Sequence, residues 1–149
     1  MDLDLKGKSV IVTGGGSNIG RAIVLAFAAE GARITIGDID VEQAQKTSQL
    51  ALKGGAASSQ VVKTDITRLD QVQAMFKTAA DKFGGVDALV NNAGWWGPTM
   101  PFSQSQPDFW QKLIEINYVG VLNCRTRVRP SGQPGKPDGR RSTPDRKQH

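Results

Sequence analysis

Between Thr13 and Gly20 the chain reads Thr-Gly-Gly-Gly-Ser-Asn-Ile-Gly. So many glycines leave a stretch of backbone with little side chain over it, and a ligand can approach its N–H groups closely. An apolar run, Ser9-Val10-Ile11-Val12, precedes the stretch, and helical periodicity follows it. That context puts the N–H groups at the first turn of a helix. Groups placed there bind the oxygens of adjacent phosphates, and the helix dipole adds favourable potential. The chemistry implied is the holding of a pyrophosphate, as in a dinucleotide. An ordinary glycine-rich turn would leave the same mark, so other positions must decide.

Asp38 follows the strand-like stretch Ala32 to Gly37, 18 residues beyond Gly20. A carboxylate there can accept hydrogen bonds from ribose hydroxyls, and it would repel a 2′-phosphate, which favours NAD over NADP. A loop acid or a helix cap would also place an Asp here. Asp65 follows Gln60-Val61-Val62-Lys63-Thr64, and Asn91-Asn92-Ala93-Gly94 follows Val86 to Val90. Three strand ends thus carry small polar groups at one edge of a sheet, where open α/β sheets bind ligands. Cys124 has no Cys or His at metal-ligand spacing and reads as a buried helix residue, so no metal site is expected.

The elements that must position these groups alternate. Ser9 to Val12, Ala32 to Gly37, Gln60 to Thr64 and Val86 to Val90 read as strands. Ile19, Ile23, Ala26 and Phe27 recur at helical spacing up to Gly31. Val41, Ala44, Ser48 and Leu52 mark a second helical face, with Asp40 as cap and Gly54-Gly55 as stop. Leu69, Val72, Phe76, Ala79 and Phe83 mark a third, opened by Thr67 and Asp70 as a capping pair. Phe109, Leu113, Ile116 and Gly120 mark a fourth, reaching toward Cys124. The alternation predicts an α/β fold with a doubly wound parallel sheet of about four strands. Right-handed crossovers put helices on both of its faces.

Charge divides the chain in two. Residues 1–124 hold 11 Lys/Arg and 12 Asp/Glu, while residues 125–149 hold 8 Lys/Arg and 2 Asp. The second segment also has four Pro, three Gly and a single aliphatic residue, Val128. It can bury little apolar surface, so disorder is expected over 125–149. A basic segment can neutralise nucleic-acid phosphates, but this one has no aromatic residues for stacking, and no nucleic-acid partner is expected. One cysteine, an acidic start and the absence of any long apolar run predict a cytoplasmic protein with no membrane contact.

Over residues 5 to 124 the chain resembles the short-chain dehydrogenase/reductase family. The resemblance rests on Thr13-Gly14 through Gly20, Asp38, Asp65-Ile66, Asn91-Asn92-Ala93-Gly94, and Asn117 in Ile116-Asn117-Tyr118. It implies a Rossmann-like fold and hydride transfer between a nicotinamide and an alcohol or carbonyl substrate. It further implies that Gly14, Ser17, Asn18, Ile19 and Gly20 contact the pyrophosphate and nearby ribose. Asp38 would bind the adenosine ribose, Asp65 and Ile66 would flank adenine, and Asn92 and Gly94 would lie toward the nicotinamide. Asn117 would position a water in proton relay, unless it merely satisfies local backbone. Trp95 and Trp96 stand where family loops border the substrate, and either form an apolar wall or pack against the domain.

Two departures from the family pattern stand out. Asn18 occupies the place of a glycine, and Asn is the residue that best tolerates a left-handed backbone after glycine. The family's catalytic Tyr has a Lys four residues later, but the only tyrosine here is Tyr118, and Leu122 follows it at that spacing. Tyr118 therefore reads as a packing residue. The expectation is a dehydrogenase truncated or frameshifted after Cys124, without the catalytic Ser, Tyr and Lys or the family's oligomer interface, and inactive alone. A non-catalytic nucleotide-binding module and a non-functional fragment are the alternatives.

Overall fold

The structure, a computed structural model, describes residues 3–125. Apart from Arg125, the segment expected to be disordered or frameshifted lies outside the described residues. Four parallel strands form one sheet: β1 (Ser9–Thr13), β2 (Arg33–Asp38), β3 (Ser58–Lys63) and β4 (Ala88–Val90). Their order is β3-β2-β1-β4, so β1 and β2 are central and β4 lies at an edge. Between them run α1 (Asn18–Ala29), α2 (Val41–Lys53) and α3 (Leu69–Phe83). After β4 come a 3-10 turn (Phe102–Gln104), α4 (Pro107–Ile114), a π turn (Glu115–Val119) and α5 (Gly120–Arg125).

The alternation of side chains along β1 divides the core between two faces. Val10 and Val12 join Ile34 and Ile36 of β2 beneath Val24 and Ala28 of α1 and Ala44 and Ala51 of α2. Ile11 points the other way, to Val72, Met75, Phe76 and Ala79 of α3 and Cys124 of α5. All five residues of β1 are buried, as expected of a strand covered on both sides. Full burial of each large aliphatic chain contributes about 1.5–3 kcal/mol. Burial also pushes the Cys124 thiol up to about 11, so it stays a protonated packing group at neutral pH.

Three helical faces differ from the sequence reading. In α1 the buried column is Gly20, Val24 and Ala28, while Ile19 is exposed and Ile23 and Phe27 are half-buried. The period was legible but the phase is one residue off, because small side chains let the helix lie close to the sheet. In α2 the same preference selects Ala44, Thr47, Ser48 and Ala51 and leaves Val41 and Leu52 exposed. In α3 Met75 joins the buried face and Leu69 is 47% exposed.

The cap of α2 is as read: the Asp40 carboxylate accepts from the Gln43 N–H at 3.1 Å. The capping pair of α3 is not formed. Both the N–H and the hydroxyl of Thr67 donate to the Asp65 carboxylate, at 2.9 and 2.7 Å. This charged local acceptor draws Thr67 into a turn, and the helix starts two residues later behind Arg68, whose side chain makes no cap. β3 begins at Ser58, two residues before the apolar run, because the Ala57 N–H already bonds the Ala32 carbonyl and Ser59 bonds Ser48 of α2. β4 is shorter than read: Asp87 turns to Ser9, accepting its N–H on a carboxylate oxygen and donating its own N–H to its carbonyl.

Candidate nucleotide-binding site

The loop after β1 turns at Gly14, whose φ of 64° suits glycine. A Cβ on Gly14 would lie 2.8 Å from the Ala93 Cα, and one on Gly20 would strike the Gly14 carbonyl oxygen. Glycine at these two positions lets the loop fold onto the strand end after β4 and onto its own helix. Ser17 is the N-cap of α1 in extended conformation, and no side chain caps the helix. No acceptor among the described residues takes the N–H groups of Ser17, Asn18, Ile19 or Gly20. Four donors at a helix start, backed by the helix dipole, are thus open to an anion.

Asn18 adopts a φ of 47°, the left-handed conformation expected at the glycine position it replaces. Asn18→Val should therefore destabilise the chain by about 1–2 kcal/mol, the cost of a left-handed backbone for an ordinary residue. Asn18→Gly should stay within about 0.5 kcal/mol of the parent. Urea unfolding followed by circular dichroism measures both.

Asp38 ends β2 with its carboxylate held by two backbone donors, Gly16 N–H at 2.8 Å and Asp40 N–H at 3.0 Å. It therefore fixes the loop apex, and its oxygens keep further lone pairs for other donors. Asp65, besides organising Thr67, donates its own N–H to the Gln71 side-chain oxygen at 2.8 Å. Its neighbour Ile66 is buried against Gly120 at the start of α5. The Asn92 side-chain amide donates to the carbonyls of Thr13 and Gly14, at 3.1 and 2.9 Å. The Thr13 hydroxyl oxygen accepts from the N–H groups of Asn92 and Ala93, at 3.1 Å each. The strand end after β4 is thereby tied to the start of the loop.

Asn117 sits in the π turn and holds the main chain of Trp95 from both sides. Its Oδ1 accepts the Trp95 N–H at 2.9 Å, and its Nδ2 donates to the Trp95 carbonyl at 2.7 Å. Trp95 is further fixed by the Phe109 ring, 5.6 Å between centroids, and by the Lys112 ammonium 4.3 Å over its own ring. Trp96 is 85% exposed. Trp95 therefore packs against the domain, as one of the two readings expected, while Trp96 does not.

One cavity of about 840 Å³ gathers these elements. Its lining includes Gly14, Ser17, Asn18, Ile19, Gly20, Asp38, Asp65, Ile66, Asn92 and Gly94, together with both tryptophans. Asn117 is not in the lining and stands behind Gly94 and Trp95. Sequence reasoning missed the stripe Asp108, Gln111, Lys112 and Glu115, which also lines the cavity, from α4 and the turn after it. Its helical spacing was legible as a polar face, but nothing local said that this face meets a cavity. Sequence reasoning also missed Arg21 and Thr47, whose acceptors are remote in sequence or on the main chain. The lining carries four carboxylates and one lysine, and among them Asp38 is bonded to the loop.

A parallel sheet with an open glycine loop at the first strand-to-helix junction, and an acid at the end of the next strand, defines a Rossmann-like α/β domain. The chain belongs to the short-chain dehydrogenase family, whose model matches residues 8–137. It is 35% identical over 129 residues to an uncharacterized oxidoreductase of Listeria monocytogenes, covering 87% of this chain and 51% of that protein. It is 33% identical over 126 residues to a 3beta-hydroxysteroid dehydrogenase of Eggerthella lenta, covering 84% and 48%. Among solved structures it resembles an NAD+-bound xylitol dehydrogenase, with a TM-score of 0.77 and 30% identity over 80% of this chain and 46% of the other. The chain spans about half the length of the curated relatives it matches. Among the described residues no helix is long and apolar enough to cross a membrane.

Proposed function

We propose that this chain holds the cofactor of a nicotinamide-dependent oxidoreductase, and that the cofactor is NAD rather than NADP. The observation that carries the reading is the pairing of four open N–H groups at the start of α1 with the Asp38 carboxylate beside them. The N–H groups suit a pyrophosphate. Asp38 suits ribose hydroxyls and opposes a 2′-phosphate, and the other carboxylates of the lining act in the same direction. Gly14, Ser17, Asn18, Ile19 and Gly20 would hold the phosphates, Asp65 and Ile66 the adenine side, and Asn92 and Gly94 the nicotinamide side. When bound, the cofactor supplies the hydride acceptor or donor for interconverting an alcohol and a carbonyl. The relatives' names support this class, and they leave the substrate open.

We place the chemical step itself beyond this chain's own side chains. Tyr118 is not the packing residue its sequence context predicts: it is 63% exposed in the π turn, with Leu122 rather than a lysine four residues on. Asn117 contributes by fixing Trp95, a bond at each end of its amide that leaves one N–H and one acceptor site for a water. Saturating NAD should raise the melting temperature of the purified chain by several degrees, since ligand at 100 times its Kd adds about 2.7 kcal/mol. No NAD reduction above background should follow with a panel of secondary alcohols. An unshifted melting temperature at millimolar NAD contradicts the cofactor reading, and measurable turnover contradicts the placement of the chemistry.

A further inference from the structure

We propose that Arg21 is a positioning residue for the phosphate loop: it holds Gly16 so that the N–H groups of Ser17 to Gly20 stay aimed into the cavity. The proposal rests on the reading of that cavity as a dinucleotide site. Arg21 follows Gly20 in the first turn of α1, yet its guanidinium reaches back to the loop. Its Nη2 donates to the Gly16 carbonyl at 2.7 Å and to the Gln43 side-chain oxygen at 3.0 Å. Its Nε donates to the Thr47 hydroxyl at 2.9 Å, and that hydroxyl in turn donates to the Gly16 carbonyl at 2.9 Å.

Gly16 is therefore gripped on both sides, its N–H by Asp38 and its carbonyl, in the peptide group that carries the Ser17 N–H, by Arg21 and Thr47. Gly16 is also wedged against α2, where an added Cβ would come within 3.0 Å of the Ala44 nitrogen. The next residue, Ser17, is the first of the four open donors, so the orientation of the Gly16 peptide sets their direction.

The charge of Arg21 adds a second effect. No carboxylate among the described residues lies within ion-pair distance of it, and its acceptors are all neutral. A half-buried cation without an anion, one residue after the loop, adds to the positive potential at the helix start. The forked guanidinium reaches three acceptors at once, which a lysine ammonium on a single flexible stem does not reproduce. A plain tie between α1 and α2 would be met by any residue that kept the helices together. The bonds instead converge on one carbonyl of the loop.

The test uses the full chain with Arg21→Gln and Arg21→Lys. NAD, ADP and adenosine are titrated by calorimetry, and hydrogen exchange is followed on peptides covering residues 14–20 without ligand. Arg21→Gln should weaken NAD and ADP about tenfold, the scale of a lost charge-assisted hydrogen bond, and leave adenosine within about twofold. Arg21→Lys should fall between. Exchange in the loop should quicken in both variants. Equal weakening of NAD and adenosine, or unchanged NAD affinity, overturns the proposal. If the parent chain binds neither NAD nor ADP, the cofactor reading fails, and loop exchange alone then decides the clamp: faster exchange supports it and unchanged exchange overturns it.

Discussion

A Gly20→Ala chain should lose NAD affinity by about 100-fold and unfold about 1–3 kcal/mol more easily. The added Cβ would strike the Gly14 carbonyl oxygen and come within 2.6 Å of the Asn92 side-chain nitrogen. Neither neighbour can move freely. The Gly14 carbonyl accepts the Asn92 amide at 2.9 Å, and the Gly14 N–H bonds the Gly37 carbonyl at 2.7 Å. Relief must come from α1, which would swing its first turn away from β1 and carry the open N–H groups with it. Affinity therefore falls even in the folded fraction, because the donors are displaced where the two core layers stay packed. Calorimetric titration with NAD, beside urea unfolding on the same preparation, separates the two effects. A Gly20→Ala chain that binds NAD like the parent would show that the phosphates do not sit on this turn.

Asp38→Ser should weaken NAD about 10- to 100-fold and bring the NAD and NADP affinities to near parity. The substitution removes the carboxylate that accepts from Gly16 and Asp40, and each such bond to a charged group contributes about 1.5–3 kcal/mol. It also removes the charge facing a 2′-phosphate, a repulsion of a few kcal/mol at contact distance near a protein surface. The first loss affects both cofactors, whereas the second gain belongs to NADP alone. Parallel titrations with the two cofactors give the ratio directly. A ratio unchanged from the parent would mean that selectivity lies elsewhere in the cavity lining, with Asp65, Asp108 or Glu115.

The parts of this architecture that local physics dictates were legible in the residues. The glycines of Thr13 to Gly20, the cap at Asp40 and the alternation of strands and helices follow from backbone sterics and burial. Asn18 is instructive: its left-handed φ was expected from its standing at a glycine position of the family pattern together with its residue type, and the structure has it at 47°. What stayed hidden depends on partners distant in sequence or on competition between neighbours. Thr67 has the type of a helix cap, yet Asp65 two residues earlier offers a charged acceptor and takes it. The buried column of α1 shifted by one residue because small side chains let the helix lie close, as at Gly20, where a Cβ would strike the Gly14 carbonyl, a constraint that periodicity does not register. Arg21 reads as an ordinary surface position of an amphipathic helix, and only the fold brings Thr47 and Gln43 within its reach. Asn117 carries the family resemblance, but its hold on Trp95 spans 22 residues and could not be read locally.

The central claim is that NAD lies along the cavity from Asp38, across the glycine loop, to Gly94. Titrating NAD into the 15N-labelled full chain and following its amide resonances tests this most directly. Saturable shifts are expected on Gly14 to Gly20, Asp38, Ile66 and Gly94, with smaller responses when NADP replaces NAD at equal concentration. Shifts confined to residues outside this cavity, or no saturable shift at millimolar NAD, would contradict it.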